Sequence, residues 1–111
     1  MELLNEDKFA DLVNFIRKQV NEYIIPIKRE TLIEDDLGVT GDEAEELIFN
    51  FSTHYKVDLK FFTFTKYFYD EPGAFNFSNR AVSPFTVRDM ERAIILGRLD
   101  DEILNETRGL F

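Results

Sequence analysis

Glu34-Asp35-Asp36-Leu37-Gly38-Val39-Thr40-Gly41-Asp42-Glu43-Ala44-Glu45-Glu46-Leu47 is the stretch on which the fold turns. Its first half is acidic, broken by single apolar residues, and closes on a glycine. That reads as a loop, with Gly38 suited to a turn of positive φ. Its second half opens with Thr40 and carries Glu43 three residues later. This spacing is a capping box: the Thr hydroxyl accepts from the Glu43 amide and the Glu side chain reaches back. Asp42 and Glu43 fall in the first turn, where the helix dipole favours anions. Ala44, Leu47, Ile48, Phe51 and Tyr55 then recur at helical spacing, which predicts a helix over about 40–55.

Upstream, Phe9, Leu12, Val13, Ile16, Val20 and Tyr23 make one apolar stripe. Lys8, Asp11, Asn14, Arg17, Lys18 and Asn21 take the opposite side. The pattern predicts a helix over 6–23 with Asn5 as its cap. Pro26 cannot continue that helix. Residues 24–39 are therefore expected as a long acidic loop pinned to the core by Leu32, Ile33 and Leu37.

Downstream, Thr86-Val87-Arg88-Asp89 is a second capping box, with Asp in place of Glu. Val87, Met90, Ala93, Ile94 and Leu96 are expected to point inward, and Gly97 to end the helix. A short helix is expected over 100–106. Val57–Phe61 alternates like a strand, but a lone strand has no partner in a helical chain. The region 57–83 is read as a short helical or irregular aromatic-rich insertion, with a turn at Asp70–Gly73 and a loop over Ala74–Val82. The expected fold is all-α: one small helical bundle of three main helices spanning 1–111.

Composition narrows the chemistry. The 111 residues suit a single domain. Cysteine is absent, which excludes disulfides, thiolate metal sites and Cys nucleophiles. One histidine excludes multi-His metal sites. No apolar run reaches the length of a membrane span, and the start, Met1–Lys8, is acidic rather than leader-like. The expectation is a cytoplasmic protein without membrane insertion. Asp35, Asp36, Asp42 and Glu46 lack the spacing of a calcium loop, so diffuse counterions are expected there rather than a bound metal. His54 reads as a charge complement at a helix C-terminus. No glycine-rich phosphate loop is present. Neither an enzyme nor a bound cofactor is expected.

The charge is uneven. Acids number 22 against 13 Lys and Arg, a formal net charge of −9, and Glu30–Glu46 holds eight acids and no base. Such a field repels nucleic-acid phosphates and attracts basic protein surfaces. A solvated face is the ordinary use of such acids; their concentration favours a binding face. Twelve of the sixteen Phe and Tyr residues lie between Phe49 and Phe85. Few bases accompany them (Lys56, Lys60, Lys66, Arg80), so the rings are read as core rather than as a stacking platform for single strands.

The order of these parts resembles an acyl carrier protein. In that family a long loop leads into Asp-Leu-Gly-x-Asp-Ser-Leu at the start of helix two, and the serine carries a phosphopantetheine arm. Asp36-Leu37-Gly38 is similar to the first part of that motif, Glu46-Leu47 to a Glu-Leu within helix two, and Thr86-Val87-Arg88-Asp89 to the start of the last helix. The chain also looks like a group of enterobacterial proteins described as acyl-carrier-like that lack the serine. Three residues on from Gly38 stands Gly41, which has no hydroxyl to form the phosphodiester. The resemblance thus implies the bundle and its acidic helix-two face without the arm. It implies partner binding by Asp36, Glu43 and Glu46; Asp42, in the same acidic run, is expected to bind with them, and Glu45, which has no match in the family, only to extend the acidic field. The expected function is a protein-binding module that docks the basic surface of a partner. The alternatives are a carrier modified at an unusual hydroxyl such as Thr40, and an acidic inhibitor of a basic toxin or nucleic-acid-binding protein.

Overall fold

Helices α1 (Glu6–Val20), α2 (Gly41–Tyr55) and α3 (Val87–Leu96) follow one another along the chain. The computed structural model describes residues 3–39, 41–64 and 84–104. Among these there is one further helical turn, 101–104, and no strand. The all-α fold expected from the sequence is the one that forms. Thr40, with its expected cap, lies outside the described residues. So do the expected turn at Asp70–Gly73, the loop over Ala74–Val82 and the end of the expected last helix.

Local chemistry explains where the helices begin and end. The Asn5 side chain accepts from the Lys8 N–H at 2.9 Å and starts α1. Asn21, in the left-handed region at φ 55°, stops it. Its own N–H and that of Glu22 both return to the Arg17 carbonyl. Helix α1 is thus three residues shorter than expected, and Tyr23 leaves the stripe, 62% exposed. The chain after it is held by charged groups. The Glu22 carboxylate accepts from the N–H groups of Ile24 (2.8 Å) and Ile25 (3.0 Å). Arg17 Nη1 donates to the carbonyls of Glu22 and Ile25.

Helix α3 has both halves of its capping box: Thr86 Oγ1 accepts from the Asp89 N–H, and Asp89 accepts from the Thr86 N–H. Gly97, at φ 76°, closes it. Leu96 does not point inward as expected. It is 44% exposed, because it lies on the outer side of the last turn before the glycine.

The core takes Leu12 and Ile16 from α1, Ala44, Leu47, Ile48 and Phe51 from α2, and Val87, Met90 and Ala93 from α3. Ile27, Ile33 and Val39 pin the long loop to it. Phe15 lies off the predicted stripe yet joins α1 to α2: its ring meets Phe51 at 6.3 Å and Tyr55 at 5.5 Å, and stacks on His54 at 5.0 Å. Asn50 Nδ2 also donates to Gln19 Oε1 across the two helices.

The loop is also tied to α3. The Ile33 N–H donates to the Phe85 carbonyl, the Val87 N–H to Thr31, and the Arg88 N–H to Arg29. Beside this ladder lies an ion pair between the buried Glu91 and the partly exposed Arg29. Arg29 Nε lies 3.0 Å from each carboxylate oxygen of Glu91, and Nη2 lies 3.0 Å from Oε2. The Leu4 N–H donates to the same carboxylate at 2.9 Å. The guanidinium sits 4.1 Å over the Phe9 ring. One carboxylate thus gathers the start of α1, the loop and α3.

Removing Glu91 leaves the partly exposed Arg29 guanidinium without its partner and the Leu4 N–H without its acceptor. Glu91→Ala is expected to lower the unfolding free energy by about 2 kcal/mol, read by urea denaturation. Glu22 supplies a pH-dependent contribution. The Ile25 and Ile24 N–H groups, with Arg17 nearby, hold its carboxyl below the usual range. A lowered value favours the ionised form in the folded state. The contribution is present above the unfolded-state value and fades as pH falls through the folded one. Glu22→Gln is expected to flatten the acid limb of a stability-against-pH curve; an unchanged limb would assign that limb to other carboxylates.

Candidate functional site

Asp42, Glu45, Glu46 and Phe49 stand at i, i+3, i+4 and i+7 of α2, which places them on one side of the helix. They form one wall of an open groove of about 710 Å³. Leu59, Phe62 and Phe64 form the other, with the buried Ile48 between. Phe49 is 65% exposed, well above the burial of the rings on the core side of the same helix.

The far wall is built by hydrogen bonds at the end of α2. Lys56 takes a left-handed conformation (φ 56°), and the Val57 N–H returns to the Ser52 carbonyl at 2.9 Å. Ser52 Oγ donates to the Val57 carbonyl at 2.6 Å. The strand-like alternation at Val57–Phe61 does find a partner, though only for one bridge. The Asp58 N–H donates to the Gly97 carbonyl and the Leu99 N–H to the Asp58 carbonyl. Thr63 donates to Asp101 through both its N–H (3.2 Å) and its hydroxyl (2.9 Å). Phe62 packs edge-on against Phe85 at 6.2 Å. Residues 57–64 are therefore irregular but well anchored.

Of the residues expected to bind a partner, Asp42 and Glu46 line this groove. Glu43 is exposed on the adjoining flank of α2. Asp36 stands apart in the preceding turn. Its Oδ2 accepts from the Leu32 N–H at 2.8 Å, and its own N–H donates to the Leu32 carbonyl. It shapes the loop. Glu45, expected only to extend the acidic field, lines the groove with Asp42 and Glu46. The rings from Phe49 to Phe85 were expected mainly in the core: Phe49 is exposed instead, whereas Phe62 and Phe64 pack against the core while also lining the groove. The signal for Phe49 lay in its position: it falls off the apolar stripe and three residues after Glu46.

The four α2 acids are exposed, and none is ion-paired among the described residues. No group of three or more His, Asp or Glu side chains converges on a metal-sized site among those residues either. Nor is any of their helices long and apolar enough to cross a membrane. His54 occupies the last turn of α2, as expected, and stacks on Phe15.

A family model described as "Protein of unknown function (DUF1493)" matches residues 5–98. The chain belongs to the DUF1493 family. No curated protein and no solved structure matches it. This corrects the resemblance to acyl carrier proteins: the family that matches, over all three motifs, is one of unknown function and not the acyl carrier family. The structure gives the physical reason. In this DUF1493 chain Asp36-Leu37-Gly38 is a turn held by the Asp36 carboxylate, with Gly38 at φ 70°. Thr86–Asp89 is a helix cap. Such signals start helices in any bundle and carry no chemistry of their own.

Gly41 likewise has a backbone reason. It is buried at φ 60°, a conformation that L-residues rarely adopt. Gly41→Ala is expected to lower stability by about 1–2 kcal/mol in thermal melts. An unchanged melting temperature would show that the chain relaxes out of the left-handed region there.

Proposed function

We propose that this DUF1493 protein is a protein-binding module, not an enzyme, and that its α2 acids dock the basic surface of a partner. The observation that supports this is the run of exposed carboxylates Asp42, Glu43, Glu45 and Glu46, none of them ion-paired among the described residues. Adjacent like charges repel one another, and a cationic surface relieves that repulsion. Two of the acids, Asp42 and Glu43, occupy the first turn of α2, at the positive end of the helix dipole. The same field disfavours nucleic acid as a ligand. Each exposed pair contributes little, so binding rests on several charges acting together and weakens with salt. The setting proposed is the cytoplasm, in keeping with the lack of a membrane-crossing helix among the described residues.

The test is parallel capture from the native cell extract with the wild-type protein and the Glu43→Lys/Glu46→Lys variant. Both positions are exposed, so the variant is expected to fold. The expected outcome is a discrete set of basic proteins that the wild type retains, that salt releases, and that the variant fails to hold. Retention of the same set by both would refute the reading.

A further inference from the structure

The groove has a chemical polarity that the acids by themselves lack. Toward the N-terminus of α2 its wall is anionic, through Asp42, Glu45 and Glu46. One turn further on it is aromatic, through Phe49, and among the described residues the opposite wall is apolar, through Leu59, Phe62 and Phe64. From Asp42 to Phe49 the helix rises roughly 10 Å. A volume of about 710 Å³ lies in the range of pockets that enclose a ligand or a few side chains. An apolar ring standing mostly free beside a shaped apolar wall is what a surface solvated for its own sake does not need.

We infer that this groove seats a basic amphipathic segment of a partner protein. This rests on the reading that the acidic face binds a basic partner, and it specifies the contact. A bulky aliphatic or aromatic side chain sits between Phe49 and the Leu59–Phe62–Phe64 wall. Lys or Arg residues about one helical turn away along the segment meet Asp42, Glu45 and Glu46. The apolar contact supplies the affinity that exposed ion pairs lack, and the carboxylates set the orientation and the encounter rate. A purely polar cation lacks the group that fills the apolar half. An acidic or neutral amphipathic segment is disfavoured by the carboxylates.

The experiment uses the full chain, isotope-labelled, titrated with synthetic peptides and read by NMR and calorimetry. One peptide is a Lys/Leu/Phe amphipathic helix former. The second keeps its lysines with serine at the apolar positions. The third keeps its apolar positions with glutamate for lysine. The first is expected to bind and to shift resonances of Asp42–Phe49 and of residues 59–64. Phe49→Ser, at an exposed position, is expected to weaken it roughly tenfold or more while leaving the circular dichroism spectrum unchanged. The glutamate peptide is expected not to bind. If the lysine–serine peptide binds as tightly as the first and Phe49→Ser has no effect, the groove inference fails while the acidic-face reading stands. If neither cationic peptide binds, both fail. Nuclear Overhauser contacts in the free protein from Phe49 and Leu59 to residues 65–83 would assign the groove to the chain's own segment and overturn the inference.

Discussion

Glu91, on α3, is 1% exposed, and its carboxylate meets two parts of the chain that are far from it in sequence. It receives the Arg29 guanidinium from the loop and the Leu4 amide from the start of α1. A charge so placed is costly unless every oxygen is engaged. Here the guanidinium supplies the countercharge, the Leu4 amide a further donor, and the Phe9 ring covers the cation. This geometry holds only when α1, the loop and α3 are all seated. The pair therefore favours one arrangement of the bundle, the same one that the backbone ladder between 29–33 and 85–88 requires.

The groove depends on that arrangement indirectly. Its near wall is the outer face of α2, set by the burial of Ala44, Leu47, Ile48 and Phe51 on the inner face. Its far wall is an irregular segment that cannot hold its own shape. The Asp58 bridge to Gly97 and Leu99, and the Thr63 bonds to Asp101, fasten it to the chain after α3. The end of α3 thus decides how far Leu59, Phe62 and Phe64 stand from Phe49. Shifting α3 would move that wall.

Sequence reasoning succeeded where the forces are short-ranged. The cap at Asn5, the box at Thr86–Asp89 and the stop at Gly97 each involve residues within a few positions of one another. It also identified the inner stripe of α2, because helical spacing exposes which residues can share a face. It went astray where the decision was made at a distance or by backbone conformation. Tyr23 fits the α1 stripe, but Asn21 ends the helix first. Leu96 fits the α3 stripe, but it is 44% exposed in the last turn before Gly97. Asp36-Leu37-Gly38 carries a motif, yet the motif encodes a turn. Asp42, Glu43 and Glu46 were legible as an acidic face because charge is visible in composition, whereas Asp36 spends its carboxylate on the turn.

What the amino-acid order determined by itself is the set of helices, the caps at Asn5, Thr86 and Gly97, the inner face of α2 and its acidic character. These follow from hydrogen bonds and periodicities that close within a turn or two of chain. Only the tertiary structure decided that Arg29 meets Glu91 across 62 positions, that residues 57–64 are anchored by 97–101, and that Phe49 faces an apolar wall rather than the core. Those outcomes depend on which distant groups can satisfy one another once apolar surface is buried, and no local spacing encodes that.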